Sequence, residues 1–426
     1  MSSSSKTFLH GSIISFIGVG IMGIFNYLIR REMALELSLE DYGFFYSAMS
    51  LIMLVLAVLD LGLSKSGTIL MTNQIALKKN PEANNIFNQI LYIKLTAGFL
   101  FFALFAASSS CLMEYYFKYD ISSTFFIALV VMIPFAAVET VPIFALEAIQ
   151  SFAIKNIVQC LKIVIMYVAV YFAVSGYGLG GAITAFVCST SIGFIINLLV
   201  LKNKTVFHFS TKLREVFDTI KGTLSFSKWI AISTSCTTAI YFMDSIMLTW
   251  MADLQSVALY NIALPITQIF QAMMILPVVF TPIAAELWQK KKYSEIIKPA
   301  RLVTALTCAA VLIVSVGGYF FSGTAITLLF AAEFSKASTS LTILCVGVTI
   351  LSLGQFYINI LNVAGKVKLA AIITIAGVIF NVIANFVLIP LFNITGAAIA
   401  TLLTYILMTL LYLYEARRIL SRVSSV

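Results

Sequence analysis

The residues of this sequence that could do chemistry are the charged side chains that interrupt its apolar runs. A charge at the centre of a bilayer costs about 2.5–3.5 kcal/mol, so a charge that is kept there usually faces a cavity or a partner. Basic groups could contact a phosphate, and carboxylates could titrate or hold an ion. The set comprises Arg30, Arg31, Asp60, Lys94, Glu139, Lys162 and Asp244.

Four of these residues fall at similar depth. Lys94 and Lys162 each lie about eight residues, or roughly 12 Å, inside an apolar run. Asp60 and Glu139 lie near the ends of two other runs on the same side. This spacing allows one charged cluster made from all four. The alternative is that both lysines snorkel to the interface and the carboxylates sit at solvated helix ends.

The elements that carry these residues are apolar blocks separated by short polar turns. The chain is 61% hydrophobic and 11% charged, with a mean hydropathy of +1.01. A helix needs roughly 20 apolar residues to cross a bilayer, whereas an open strand leaves its backbone unsatisfied in lipid. We therefore predict an all-α, polytopic membrane protein with about twelve transmembrane helices, at residues 10–30, 42–64, 86–113, 121–145, 154–174, 179–201, 225–250, 257–283, 300–322, 338–363, 367–390 and 394–414.

Several classes of function lack support. The longest polar stretch, residues 202–225, is too short for a soluble catalytic domain, and no Walker, G-x-S-x-G or H-E-x-x-H motif is present. Six scattered cysteines and two histidines argue against a metal site. The net charge of +9 comes from basic residues placed between apolar blocks, which is typical of topology signals rather than nucleic-acid binding. We expect no enzyme activity and no cofactor.

The basic residues also predict orientation. Most Lys and Arg fall in connections on the same side as the N-terminus, which the positive-inside rule makes cytoplasmic. Both termini are then cytoplasmic, and we expect the first span to be retained rather than cleaved as a signal peptide. The opposite side carries only Arg30, Arg31, Lys118 and Lys336.

Two short matches suggest an internal repeat. Gly180-Gly181-Ala182-Ile183 resembles Gly396-Ala397-Ala398-Ile399 at an offset of 216, and Tyr42-Gly43-Phe44-Phe45 resembles Val257-Ala258-Leu259-Tyr260 at an offset of 215. These offsets predict two pseudo-symmetric six-helix halves, 1–201 and 225–426, joined by a cytoplasmic linker at 202–224. Such halves enclose a central substrate cavity in alternating-access transporters.

The outer ends of the first and seventh spans carry the remaining charges. The repeat offset places Arg30 at the counterpart of Asp244, so these two could form a latch that holds the outer side shut. Alternatively, Arg30 and Arg31 are interfacial anchors. Asn26, one turn earlier, is one of several polar residues at membrane depth that could offer hydrogen bonds to a hydroxyl-rich ligand.

Several short motifs carry a family resemblance: Asn26-Tyr27-Leu28-Ile29-Arg30-Arg31 followed by Tyr42-Gly43, Asp60-Leu61-Gly62-Leu63, Met243-Asp244-Ser245-Ile246-Met247-Leu248 followed by Tyr260-Asn261-Ile262-Ala263, and Gly396-Ala397-Ala398-Ile399-Ala400-Thr401. With them the chain resembles the polysaccharide transporter family, the O-antigen (Wzx-type) flippases of the MOP exporter superfamily. It departs from the family pattern at Thr249 and Ala258, where glycine is usual.

The resemblance implies a multi-pass protein of the bacterial inner membrane with a MATE-like fold. Its implied substrate is an undecaprenyl-diphosphate-linked oligosaccharide, flipped from the cytoplasmic to the periplasmic leaflet. A H+ or Na+ gradient, a polysaccharide polymerase and chain-length proteins are candidate partners. The candidate diphosphate and sugar ligands are Arg30, Arg31, Lys94, Lys162 and Asn26, and the candidate gating or ion-coupling residues are Asp60, Glu139 and Asp244.

Other functions remain open. A MATE-type exporter of organic cations would favour an acidic cavity, whereas the buried charge here leans basic in the first half. A membrane-embedded glycosyltransferase or polymerase usually has a sizeable periplasmic loop, and no outside loop here is long enough. A lipid II flippase shares the fold but typically has more than twelve spans.

Overall fold

The apolar blocks fold into long helices, as the need to satisfy the backbone in lipid requires. The computed structural model describes residues 3–60, 62–202, 207, 216–271, 280 and 284–424. Short turns at Ser109–Cys111, Leu112–Phe117 and Ala332–Ala337 and helical residues 284–289 complete the described elements. The helices are α1 Ser3–Glu36, α2 Leu39–Asp60, α3 Leu63–Ala76, α4 Asn80–Ala107, α5 Ser123–Val130, α6 Met132–Ala148, α7 Phe152–Lys202, α8 Val216–Met251, α9 Leu254–Gln271, α10 Tyr293–Leu329, α11 Ser338–Val363 and α12 Val367–Ser424.

Among the described residues, 7 helices are long and apolar enough to cross a membrane. Two of these, α7 and α12, extend over about twice the length that one crossing needs. Each is kinked, at Gly178 and at Asn393, and so supplies two of the predicted spans. Every predicted span lies on helix for most of its described length. The prediction of an all-α polytopic membrane fold is confirmed.

The boundaries differ from the predicted ones in three places. The second span ends at Asp60 rather than at residue 64, because Gly62 adopts a left-handed conformation (φ 69°) that separates α2 from α3. The third span gives way after Ala107 to a π-helical turn at Leu112–Phe117. The predicted linker 202–224 is helical from Val216, where α8 begins, and its residues 203–206 and 208–215 lie outside the described residues.

The chain divides into two compact units, an N-terminal unit of Met1–Ser235 and a C-terminal unit of Cys236–Val426. In the N-terminal unit, α6 packs against α3, α4 and α7, and α1 packs along α7. In the C-terminal unit, α11 packs against α9, α10 and α12. The predicted halves with a substrate cavity between them remain a prediction.

The backbones of the two units repeat: two pairs of matching features lie 215 residues apart, and a third pair, the left-handed residues Lys78 and Lys291, lies 213 residues apart. The kinks at Gly178 (φ 54°, ψ −132°) and Asn393 (φ 51°, ψ −128°) are 215 residues apart. So are the left-handed residues Gln150 and Gly365, each of which ends a helix. Both helix ends close with the same two backbone hydrogen bonds, as in a Schellman motif: Gln150 N to Glu147 O and Ser151 N to Leu146 O, against Gly365 N to Asn362 O and Lys366 N to Leu361 O.

Two glycines fix the register after the kinks. A Cβ on Gly181 would lie 2.0 Å from the carbonyl oxygen of Ala173, and a Cβ on Gly396 would lie 2.0 Å from that of Leu388. Only glycine fits either position. Gly181 is therefore the counterpart of Gly396, and the predicted offset of 216, which used Gly180, is wrong by one residue.

Candidate functional site

An ion pair joins the middle of α6 to α7 in the N-terminal unit. Lys162 Nζ donates to both carboxylate oxygens of Glu139, at 2.7 and 2.6 Å. The Glu139 side chain is 6% exposed and that of Lys162 is 21% exposed. A Cβ on Gly193 would lie 2.7 Å from Lys162 Cδ and 2.9 Å from Glu139 Oε1, so the pair occupies the space beside a bare backbone.

A second ion pair joins Lys94 of α4 to Asp60 of α2 and contacts α6 at Thr140, the residue after Glu139. Lys94 Nζ donates to Asp60 Oδ1 at 2.5 Å, to Ser64 Oγ at 3.0 Å and to Thr140 Oγ1 at 2.7 Å. These bonds use all three ammonium donors. The Lys94 side chain is 2% exposed and its ammonium group lies 5.6 Å from the centre of the Phe144 ring. Such a lysine is fixed rather than available.

A third pair lies nearer the turn between α6 and α7. Lys155 Nζ donates to Glu147 Oε1 at 2.5 Å, and Thr68 donates to the other oxygen of Glu147 at 3.4 Å. Lys155 and Glu147 are about one-third exposed. Neither residue of this pair is among the predicted site residues. The signal available for Lys155 was its position seven residues before Lys162, on the same face of the helix.

The structure thus places the four charged residues predicted to lie at one depth in two ion pairs, Lys162 with Glu139 and Lys94 with Asp60, that contact α6 at the adjacent residues Glu139 and Thr140. Burial of Lys94 excludes snorkelling for this residue. A role for Lys94, Lys162, Asp60 or Glu139 in substrate binding or ion coupling stays a prediction.

The predicted residues of α1 lie elsewhere in the N-terminal unit. The Arg30 guanidinium lies 4.4 Å from the centre of the Tyr46 ring, a cation–π contact. Arg31 pairs with its neighbour Glu32 at 3.3 Å, and Asn26 is exposed one turn before Arg30.

The C-terminal unit holds a different polar centre around Asp244 of α8. Asn385 Nδ2 donates to Asp244 Oδ1 at 2.8 Å, Thr401 Oγ1 donates to Oδ2 at 2.5 Å, and the Tyr260 hydroxyl also donates to Oδ2. Asn381 accepts from Asn385 at 3.1 Å and donates to Thr401 at 3.3 Å. We call these five buried residues the Asp244 cluster.

The chemistry of the Asp244 cluster differs from that of the ion pairs. No Lys, Arg or His of the described residues pairs with Asp244 in a salt bridge. Its carboxylate is surrounded by neutral hydroxyl and amide groups, and Asn385 Oδ1 is buried without a described hydrogen-bond donor. The carboxylate of Asp244 could accept a proton, and the carboxylate together with the neighbouring hydroxyl and amide oxygens could ligate a monovalent cation. The partners Tyr260 and Thr401 stand in the quoted family motifs, which was the signal available for finding them.

The register of 215 also corrects the proposed latch. It places Ile29, not Arg30, at the counterpart of Asp244. Arg30 corresponds to Ser245, and Tyr46 corresponds to Asn261. The two members of each unit are in contact: Arg30 lies over the Tyr46 ring, and Ser245 accepts a hydrogen bond from Asn261 at 2.9 Å. A shift of one residue turns a helical side chain by about 100°. The reason for pairing Arg30 with Asp244 therefore fails.

The two polar centres have apolar or uncharged counterparts in the opposite unit. The counterparts of Asp244, Tyr260, Asn381, Asn385 and Thr401 are Ile29, Phe45, Met166, Val170 and Phe186, all buried. The counterparts of Glu139, Lys162, Glu147 and Lys155 are Gly354, Gly377, Asn362 and Ala370.

Comparison with known families decides the identity. Residues 8–288 match the family described as "Polysaccharide biosynthesis protein". The chain belongs to this family. Residues 230–387 also match the MatE family. In both, the match includes Asp244, while Lys94, Lys155 and Lys162 fall in the polysaccharide match alone.

Solved structures share the fold across nearly the whole chain. A multidrug resistance MATE family transporter of the MOP superfamily in an inward-facing conformation has a TM-score of 0.77 at 14% identity, covering 96% of this chain and 99% of that chain. The lipid II flippase MurJ has a TM-score of 0.76 at 13% identity, covering 95% and 87%. A MOP superfamily transporter from Pyrococcus furiosus has a TM-score of 0.69 at 14% identity, covering 98% and 96%.

A curated relative is the uncharacterized membrane protein MJ1068 of Methanocaldococcus jannaschii, 28% identical over 222 residues. The alignment spans 51% of this chain and 44% of that protein. Together the apolar helices and the matches support a multi-pass membrane protein of the polysaccharide biosynthesis family that shares its fold with MATE transporters and MurJ. These neighbours are transporters and flippases, which fits the expectation that the chain is not an enzyme.

Proposed function

We propose that this protein flips an undecaprenyl-diphosphate-linked oligosaccharide from the cytoplasmic to the periplasmic leaflet of a bacterial inner membrane. The carrying observation is that the segment matching the polysaccharide biosynthesis family keeps Lys94, Lys155 and Lys162 within or at the ends of its apolar helices. Intramembrane charge is costly and usually functional. Ammonium groups are suited to a diphosphate and unsuited to an organic cation.

The proposal assigns roles to the predicted residues. Arg30, Arg31 and Lys162 contact the diphosphate, with Asn26 available for a sugar hydroxyl, and Lys94 holds Asp60 and Thr140 in place. Both termini are cytoplasmic on the positive-inside rule. A polysaccharide polymerase and chain-length proteins would act on the flipped product.

We assign ion coupling to Asp244 rather than to Asp60 or Glu139. The last two already neutralise a lysine, at 2.5 and 2.6 Å. Asp244 receives hydrogen bonds from neutral groups alone among the described residues, so its charge is available to a H+ or Na+ ion. Entry and release of this ion would drive alternating access.

A deletion in the host tests the proposed function. Loss of surface polysaccharide with lipid-linked repeat units trapped on the cytoplasmic leaflet is the expected result. Wild type should restore the glycan, and an Arg30→Ala/Arg31→Ala double variant should not. A Lys290→Gln variant, at an exposed surface pair, serves as the control and should restore it fully.

The second candidate is a cation-coupled MATE-type exporter of small organic solutes. The MatE match over residues 230–387 favours it, and so does the carboxylate of Asp244, which receives hydrogen bonds from neutral groups and has no salt-bridge partner among the described residues. Normal surface glycan in the deletion strain, with altered sensitivity to cationic drugs, would select this function instead.

A further inference from the structure

The hairpin formed by α6 and α7 carries two lysine–glutamate pairs that step inward from its turn at Gln150. Lys155 pairs with Glu147, and Lys162 pairs with Glu139. The lysines are separated by about 10 Å along one face of α7. We call Lys155 and Lys162 the lysine ladder. Because a diphosphate group is shorter than their separation, it would meet the two lysines in succession.

The ladder lysines keep donors that Lys94 does not. Lys94 uses three ammonium donors on protein partners, whereas the structure gives Lys162 two hydrogen bonds, both to Glu139, and Lys155 one, to Glu147, within the described residues. An ammonium group has three donors. Both ladder lysines are also partly exposed, at 27% and 21%, against 2% for Lys94.

The same hairpin geometry occurs elsewhere in this chain without these charges. The C-terminal unit builds the same hairpin, with the same helix end at Gly365 and the same kink at Asn393, from uncharged counterparts. Where Lys162 lies beside Gly193, the C-terminal unit has Gly377 beside Met408, and a Cβ on Gly377 would lie 2.4 Å from the Met408 sulfur. An apolar side chain thus fills the equivalent space. Because the same hairpin forms without charge at these positions, and charge within the membrane is costly and usually functional, we look to ligand binding for the reason that the pairs are kept.

We propose that Lys155 and Lys162 are two successive stations for the diphosphate of the lipid-linked substrate, and that Glu147 and Glu139 are positioning residues. This inference rests on the proposed function and names the path of its anionic group. The phosphate oxygens accept hydrogen bonds from the spare ammonium donors while each glutamate holds its lysine in position. The glutamates also offset part of the positive charge, which weakens binding enough for release.

Binding of inorganic pyrophosphate to the purified full-length protein in lipid nanodiscs tests the ladder. Lys155→Gln and Lys162→Gln should each weaken pyrophosphate binding by about tenfold, the effect of one lost charge-assisted hydrogen bond. Glu139→Gln should tighten binding severalfold, because it removes the opposing charge but keeps the shape. Lys290→Gln, a matched change at an exposed pair, should leave the dissociation constant unchanged.

A charge-exchange variant separates binding from folding. Glu139→Lys combined with Lys162→Glu keeps an ion pair but moves the ammonium to α6, so it should fold normally and still lose pyrophosphate binding. Equal affinities for wild type, Lys162→Gln and this double variant, with unchanged unfolding temperatures, would overturn the ladder. Weaker binding by Glu139→Gln would overturn the role given to the glutamate.

A parallel comparison separates the ladder from the proposed function. If wild type restores surface glycan in the deletion strain but lysine variants bind pyrophosphate as wild type does, the ladder fails and the flippase remains. If wild type binds pyrophosphate through the ladder but does not restore glycan, the proposed function fails. Vesicles containing undecaprenyl diphosphate should compete with pyrophosphate, and vesicles with phosphatidylglycerol at equal charge should not.

Discussion

The two units of this protein share one backbone and place their polar residues at opposite positions. The N-terminal unit buries charge on α6 and α7, where the C-terminal unit has glycine, alanine and asparagine. The C-terminal unit buries a carboxylate on α8, where the N-terminal unit has Ile29 packed near an aromatic pair, Phe45 and Phe186, whose ring centres are 4.8 Å apart. The positions equivalent to each polar centre in the opposite unit are therefore occupied by apolar or uncharged residues.

The same backbone turns and kinks therefore occur in this chain both with and without each polar centre. The uncharged counterparts adopt the same turns and kinks, so each polar centre is an addition that carries a free-energy cost in the membrane. The kinds of charge also differ. Lysines paired with glutamates suit an anion that binds and leaves, whereas a carboxylate among neutral oxygens suits a proton or a small cation. We infer one task for each unit.

Removing the charge of the Asp244 cluster should have the largest effect. We expect Asp244→Asn to reduce transport at least about 100-fold while leaving the protein folded, because its counterpart Ile29 shows that the fold tolerates an uncharged residue there. Transport into proteoliposomes and the unfolding temperature measure the two effects. Glu295→Gln, at an exposed carboxylate, is the control. Full transport by Asp244→Asn would remove ion coupling from this unit.

Next in size is the stability effect at Lys94. Lys94→Met should destabilise the N-terminal unit by about 3 kcal/mol, since it leaves Asp60 without its ammonium partner. Adding Asp60→Asn should recover more than half of that loss. Denaturant unfolding in detergent gives the values, with Lys336→Met as an exposed control. No recovery in the double variant would show that the ion pair is not the cause.

Gly193 offers a smaller change that leaves every charge in place. Gly193→Ala should cost about 1–3 kcal/mol, because the added Cβ would overlap Lys162 and Glu139. It should also weaken pyrophosphate binding. Gly176→Ala on the same helix has open space around its added methyl group and should change neither quantity. Equal behaviour of the two alanine variants would contradict the packing assigned to the ion pair.

The smallest effect is expected outside the membrane, at Tyr119. Its hydroxyl donates to Asp41 at 3.1 Å, and burial together with the Asp41 charge raises the Tyr119 pKa to about 12. The neutral form is favoured in the folded state, so this contribution is complete below pH 10 and is lost as pH rises through 12. Tyr119→Phe, which removes only the hydroxyl that donates to Asp41, should cost about 1 kcal/mol at pH 8. Its cost should shrink above pH 10 in pH-dependent unfolding measurements.

Much of the fold could be predicted because apolar length determines membrane helices. The blocks at 42–64 and 367–390 were found from composition alone, while the left-handed Gly62 that ends α2 early has no signal in hydropathy. The repeat was predicted from short matches, but its register after the kink was off by one. The correct register follows from the close approach of Gly181 to the Ala173 carbonyl oxygen, a contact that only the folded backbone shows.

The sequence predicts which charged residues of the candidate site lie at the same depth in the membrane, but not which residues they contact. Equal depth along their helices allowed a single cluster of Lys94, Lys162, Asp60 and Glu139, with snorkelling lysines as the alternative, and the structure shows two ion pairs among the four. The partners of Asp244 lie 16 to 157 residues away in the chain, and their meeting depends on the helix packing of the whole unit. The repeat offset suggested an Arg30 partner for Asp244, with interfacial anchoring of Arg30 as the alternative. Within the C-terminal unit, neutral hydroxyl and amide groups donate to Asp244.

Proteoliposomes that contain a lipid-linked oligosaccharide and an imposed H+ or Na+ gradient test the division of tasks most directly. We would measure the substrate concentration for half-maximal flipping and the dependence of the rate on the gradient, for wild type, Lys162→Gln and Asp244→Asn. Lys162→Gln should raise the half-maximal concentration about tenfold and keep the gradient dependence. Asp244→Asn should abolish the gradient dependence and leave the half-maximal concentration unchanged. If both variants changed the same quantity, the two units would not divide anion binding and ion coupling between them.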